Sequence, residues 1–189
     1  MSFTLDLTGN LKASLKTLYP NPPSDKLLCV EIGAFEGRGS IVLSDYLCSH
    51  ERSKLLCIDP FDDEYVKGNE KVAWWNDACK GQYGRFKQNT ASYPKIIECK
   101  GTSDDMIPSI QDKSVDFVYI DGDHSPEQVY KDAKNIFPKM SIGGIVLFDD
   151  YLWKVNNVET RLGIDKFLAE YKGQYTILIN DYQLAFRVL

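Results

Sequence analysis

Four aspartates and a histidine carry the most specific chemistry in this sequence. They lie in two short runs, Tyr119-Ile120-Asp121-Gly122-Asp123-His124 and Leu147-Phe148-Asp149-Asp150-Tyr151, each of which opens on apolar residues that read as the end of a buried strand. In an open parallel sheet the carboxyl ends of neighbouring strands share one rim, and ligands bind in the crevice along it. Asp121, Asp149 and Asp150 are therefore expected to converge. Carboxylates packed together repel one another, so a positive group belongs among them. An all-oxygen set suits a hard divalent cation such as Mg²⁺ or Mn²⁺ better than zinc. Asp123 and His124 follow at once; either is a candidate to take a proton from an acceptor hydroxyl, and His124 reads equally as a loop histidine that orients Asp123. The only other histidine, His50, reads as a surface cap at a helix end, which argues against a multi-histidine zinc or iron site.

A second constellation is Val30-Glu31-Ile32-Gly33-Ala34-Phe35-Glu36-Gly37-Arg38-Gly39, which follows an apolar strand and opens a helix. Glycines at such a turn let a ligand approach the backbone closely. A dinucleotide fingerprint needs GxGxxG, whereas the spacing here is GxxxGxG, with Phe35 where the second glycine would stand. The loop thus fits NAD poorly and a cofactor without phosphates, such as S-adenosylmethionine, better. Asp59 ends the second strand, where a carboxylate can accept both ribose hydroxyls.

The elements that must position these residues alternate along the chain. Apolar runs at Leu27–Val30, Leu55–Ile58, Ile96–Cys99, Val115–Ile120 and Ile145–Phe148 read as strands. Helices are expected over Gly39–Ser49, Val72–Asn89, Pro126–Phe137 and Val158–Tyr171. The third is signalled by Ser125 as N-cap and Pro126 in the first turn, and Gly143-Gly144 breaks the chain before the fifth strand. Tyr175–Ile179 and Gln183–Val188 read as a hairpin turning at Asn180-Asp181. The expected fold is α/β: a Rossmann-like methyltransferase fold whose seven-stranded, mostly parallel sheet ends in an antiparallel hairpin and carries helices on both faces. Residues 1–189 form one domain, with a helix (about Leu11–Leu18) and linker in 1–24 and the catalytic core in 25–189.

With 189 residues and 43% hydrophobic content, the chain suffices for one core without staples. A net charge of -5 argues against partners that are nucleic acids or anionic membranes. No stretch approaches the ~20 apolar residues of a spanning helix, and the start lacks a signal-peptide pattern, so a soluble, cytoplasmic protein is expected. Cys29, Cys48, Cys57, Cys79 and Cys99 have no metal-site spacing and read as reduced thiols. Phe61, Tyr65, Trp74, Trp75, Tyr83 and Phe86, and separately Tyr151 and Trp153, gather near the same rim, as acceptor walls or as core.

These motifs resemble those of class I methyltransferases, and among them the metal-dependent small O-methyltransferases, from about Leu27 to Leu189. Glu31, Gly33, Ala34, Phe35, Gly37 and Gly39 look like the family's first motif, and Gly101-Thr102-Ser103 looks like its adenine-lining segment. The resemblance implies S-adenosylmethionine held by these residues with Asp59 and Asp121, and Mg²⁺ or Mn²⁺ held by Asp121, Asp149 and Asp150. Catechol-type enzymes have Asn at the position of Asp150 and a lysine at that of His124. The DGD run is closer to the macrocin-type sugar O-methyltransferases and implies Asp123 as base. A sugar or glycan hydroxyl is the expected acceptor, with a catechol or other phenol as rival and a non-catalytic cofactor-binding module as a third reading. Oligomeric state is left open, a homodimer included.

Overall fold

The computed structural model describes residues 1, 3–62, 77–155 and 157–189. Five apolar runs form strands β1 (Leu28–Ile32), β2 (Lys54–Asp59), β3 (Ile96–Lys100), β4 (Val115–Ile120) and β5 (Met140–Phe148). A small ribbon follows, β6 (Lys154–Val155) with β7 (Val158–Glu159), and then β8 (Tyr175–Asn180) and β9 (Leu184–Val188). The main sheet runs β3-β2-β1-β4-β5-β9-β8, with β1 to β5 parallel and β9 antiparallel to both its neighbours, β5 and β8. Strand order reverses between β1 and β4, which opens a crevice at their carboxyl ends. This is the Rossmann-like methyltransferase arrangement that the sequence implies.

Alternation along β4 shows how the two faces are filled. Val118 and Ile120 point to one core, with Val30, Ile32, Val146 and Phe148, beneath helices α5 (Pro126–Ile136) and α6 (Arg161–Glu170). Phe117 and Tyr119 point to the other, with Cys29, Leu147, Leu43 and Leu47, beneath α1 (Gly9–Leu18) and α2 (Arg38–Leu47). Leu11 and Leu15 of α1 are buried there, so the first helix belongs to the core and is no mere preface to it. Helices α3 (Gln82–Thr90) and α4 (Ser103–Met106) flank β3 in the chain. Among the described residues no helix is long and apolar enough to cross a membrane.

Three expected boundaries move, each for a local reason. Of the helix expected over Val72–Asn89, the part up to residue 76 lies outside the described residues; residues 77–79 are helical, and a turn at Gly81, φ +71°, separates them from α3, which begins at Gln82. The last helix starts at Arg161, since Val158 and Glu159 pair with Lys154 and Val155. β5 begins at Met140 and carries the expected breaker within it: Gly143 sits at φ +83° beside a register shift between Val115 and Phe117.

Helix α5 starts where its sequence signals place it, Ser125 accepting from Gln128 N. It also carries Asp132, which is buried and accepts Ser103 Oγ (2.6 Å) and Gln128 Nε2 (2.9 Å). Burial lifts its pKa from 3.8 to about 6. The folded state thus holds this proton more tightly than the unfolded chain, and stability falls as pH rises from about 4 to 6. Asp132→Asn keeps an acceptor for both donors and removes the titration. Relative to the parent chain, the variant is expected to gain up to about 3 kcal/mol between pH 4 and pH 7; stability curves that run parallel in urea unfolding would contradict this.

Two glycines give a second, opposed prediction. A Cβ on Gly163 of α6 would meet Pro126 O at 2.1 Å, whereas one on Gly84 of α3 meets nothing within 4 Å. Gly163→Ala should destabilise by about 1–3 kcal/mol or more through overpacking, and Gly84→Ala should stabilise by up to about 1 kcal/mol. Chemical denaturation midpoints measure both.

Candidate active site

The loop after β1 is closed from three sides. Gly33 donates its N–H to Ile58 O (2.9 Å) and holds φ +92°, and a Cβ there would lie 2.0 Å from Asp121 O. Only glycine lets the ends of β1 and β4 approach so closely. Phe35 also takes a left-handed conformation, φ +46°, and its N–H donates to Asp59 Oδ2 (2.9 Å). Asp59 Oδ1 accepts Phe61 N (2.6 Å), so this buried carboxylate braces the loops after β1 and β2 together. Ala34 accepts from Gly37 N (2.8 Å) in the turn that leads to Arg38 at the start of α2. Gly101 N donates to Asp59 O (3.0 Å), which brings the Gly101-Thr102-Ser103 segment to the same rim.

Glu31 lies beneath the loop. It is buried, accepts Ser40 Oγ and Cys57 Sγ, and stands where a Cβ on Gly39 would come within 2.5 Å of its Oε1. Burial pushes its pKa up to about 8. Its observed contacts support the start of α2 from below.

Across the crevice Asp121 N donates to Ile32 O (2.8 Å) and Asp149 N to Ile120 O (2.9 Å), which fixes the two acidic runs against the ends of β1 and β4. The sequence places Asp149 with Asp121 and Asp150 and sets His124 apart as a base; the geometry groups them differently. One ligand atom each from Asp121, His124 and Asp150 lies within 4.8 Å of the others. His124 Nε2 is 2.8 Å from Asp150 Oδ2 and 3.8 Å from Asp121 Oδ1, so the imidazole pairs with both carboxylates. Asp149 is held alongside: its carboxylate accepts Tyr119 Oη (2.8 Å) and Gln183 Nε2 (2.7 Å). Asp150, at φ +53°, also accepts the Tyr182 hydroxyl.

Electrostatics follow from this crowding. Burial, and then the Asp149 charge, raise the Asp121 pKa to about 7. Burial works against a charged His124, but Asp121 and Asp150 outweigh it and push the imidazole up to about 10. Burial likewise opposes charge on Asp150, and His124 overcomes it to hold that carboxyl below its usual range. Asp123, in contrast, turns back along the chain, Oδ1 accepting Ser125 N (2.7 Å) before α5.

Other residues position the cluster. The Trp153 ring lies 4.9 Å from that of His124, and Thr160 Oγ1 donates to His124 O (3.1 Å). Ser14 of α1 donates to Gln183 Oε1 (2.5 Å), so the first helix supports Asp149 through that amide. Tyr119, two residues before Asp121 on one strand face, was accessible to sequence reasoning. Gln183 was not, because it meets Asp149 only through the antiparallel register that pairs Phe148 with Leu184. Of the aromatic residues near the rim, Phe61 packs at a tilt against Tyr83 and Phe86 as core, and Tyr151 donates to Asp165 Oδ1 (2.8 Å). Tyr65, Trp74 and Trp75 lie outside the described residues. His50 Nδ1 accepts Arg52 N in a surface turn (3.0 Å).

An uncharacterized protein of Acanthamoeba polyphaga mimivirus is 27% identical over 167 residues, which cover 86% of this chain and 69% of that protein. The solved structure of the O-methyltransferase NovP aligns with a TM-score of 0.67 at 18% identity, over 95% of this chain and 78% of its own. The O-methyltransferase TomG of Streptomyces achromogenes, solved with SAM, aligns with a TM-score of 0.64 at 14% identity, over 96% and 79%. At these identities the solved structures speak for the fold. Residues 30–151, from β1 through both acidic runs, match the family described as a methyltransferase domain. That match takes in the glycine loop, Asp59 and the Asp121–His124–Asp150 cluster, and so the chain belongs to the methyltransferase-domain family.

Proposed function

We propose that this chain is an S-adenosylmethionine-dependent O-methyltransferase that works with a divalent cation on a hydroxyl of a sugar or glycan. The observation that carries this reading is the shared wall at Gly33, where the cofactor loop and the Asp121–His124–Asp150 cluster come together. A methyl donor seated on the loop would have its reacting end beside groups able to handle a hydroxyl proton. Ala34, Phe35 and Gly37 would form the cradle, with Asp59, Gly101, Thr102 and Ser103 along its adenosine side.

The residues present fit a cation. Three carboxylates crowd together with one imidazole, and among the described residues His124 is the only cationic group within ion-pair distance of them. Its Nε2 stands 2.8 Å from Asp150 Oδ2 and 3.8 Å from Asp121 Oδ1, so the carboxylates converge on one position that already favours positive charge. Asp121 and Asp150 would hold the ion, with Asp149, oriented by Tyr119 and Gln183, as the third acid. When bound, a divalent cation lowers the pKa of a coordinated hydroxyl and stabilises developing alkoxide charge. With those carboxylates turned to such an ion, His124 would be held less strongly charged, and its Nε2 would be the atom to take the acceptor proton. Asp123, tied to Ser125, orients the turn that carries His124. Trp153 shields the imidazole from water, and the remaining work is alignment of oxygen, methyl carbon and sulfur.

A phenol is the second acceptor class, favoured by Trp153, because a flat apolar wall suits an aromatic ring. A binding module without catalysis would have no use for the acidic cluster. Transfer of radiolabelled methyl groups to panels of sugars and phenols tests the reading. EDTA is expected to abolish turnover and Mg²⁺ or Mn²⁺ to restore it, with the sugar panel labelled; full activity in EDTA would sink the cation. His124→Ala should lower kcat by about 10²–10⁴-fold while S-adenosylhomocysteine still binds.

A further inference from the structure

We infer that the segment from Phe3 to Thr8 is a strap whose docking on Glu36 positions the cofactor loop, so that strap docking and cofactor binding strengthen each other. The inference rests on the methyl-transfer reading above. Glu36 stands in the loop between Phe35 and Gly37, yet its side chain is buried, at 1% exposure. Its carboxylate accepts Thr4 N (2.7 Å), Thr4 Oγ1 (2.5 Å) and Arg85 Nε. Arg85 continues to Lys80 O (2.6 Å) and Ala78 O. Three stretches far apart in sequence therefore meet on one carboxylate of the cofactor loop.

Arg38, the first residue of α2, extends the same contact. It pairs with Asp6 Oδ2 at 2.7 Å and lies over the Phe3 ring, 5.0 Å from its centroid. Asp6 Oδ1 in turn accepts Thr8 Oγ1 (2.7 Å) just before α1. Thr4 and Asp6 are exposed, and surface ion pairs contribute little. Arg38 Nε is buried without a hydrogen-bond partner in this arrangement, which costs free energy. The docked strap is thus finely balanced. A ligand that immobilises the loop from Phe35 to Arg38 stabilises the surface on which the strap sits, and by linkage the strap returns the same factor to the ligand. Glu36 and Arg38 are positioning residues in this scheme, acting through the loop.

The test uses the full chain with Thr4→Val and Asp6→Asn combined, S-adenosylhomocysteine as probe, calorimetry for affinity and hydrogen exchange for the strap. The double variant should bind about tenfold more weakly with an unchanged unfolding midpoint of the ligand-free protein. Thr4→Ser, which keeps the hydroxyl, should bind like the parent, and the ligand should slow exchange at Thr4 in the parent chain. Equal affinity in parent and double variant, or a loss matched by a general fall in stability, would overturn the strap while leaving methyl transfer standing. No binding by the parent chain would overturn both.

Discussion

The contact between Gly33 and the backbone of Asp121 is the constraint on which the site depends. With a Cβ excluded at 2.0 Å, the ends of β1 and β4 close to a distance that no other residue allows. This occurs at the point where strand order reverses, so the crevice that the topology opens has a floor made of the loop and the acidic run together. Gly33 N reaches across to β2, and Asp121 N reaches back to β1, so the same backbone ladder that ends the strands sets the geometry of the site.

Charge is the second constraint. Asp121, Asp149 and Asp150 are gathered where burial disfavours ionisation, and His124 alone opposes them among the described residues. Neutral donors take up part of the load: Tyr119 and Gln183 on Asp149, Tyr182 on Asp150. Such supports reach back through Ser14 to the first helix, which ties that helix to the acidic cluster at the rim of the sheet. A cluster so arranged is poised for a positive guest, which is the physical basis of the proposed cation.

Much of this was legible from local pattern. Periodicity gave the parallel strands, the terminal hairpin and the α5 cap at Ser125, because each is set by residues near in sequence. The acidic runs declared themselves by following apolar strands. What could not be read were the pairings that depend on register or on side-chain direction. Gln183 reaches Asp149 only through the β5 and β9 alignment, and His124 joins Asp121 and Asp150 because the turn after β4 folds its ring back under Trp153. Asp59 reads from sequence as a ribose partner, and its observed hydrogen bonds to Phe35 N and Phe61 N are of a kind that no spacing rule anticipates.

We propose that the loop at Gly33 and the cluster of Asp121, His124 and Asp150 form one site for a methyl donor and a cation. Anomalous diffraction from crystals soaked with S-adenosylhomocysteine and Mn²⁺ measures it most directly. The expected map has a manganese peak touching Asp121 and Asp150, with the homocysteine sulfur over the Gly33 loop beside it. A ligand bound away from that loop, or manganese bound only elsewhere, would contradict it.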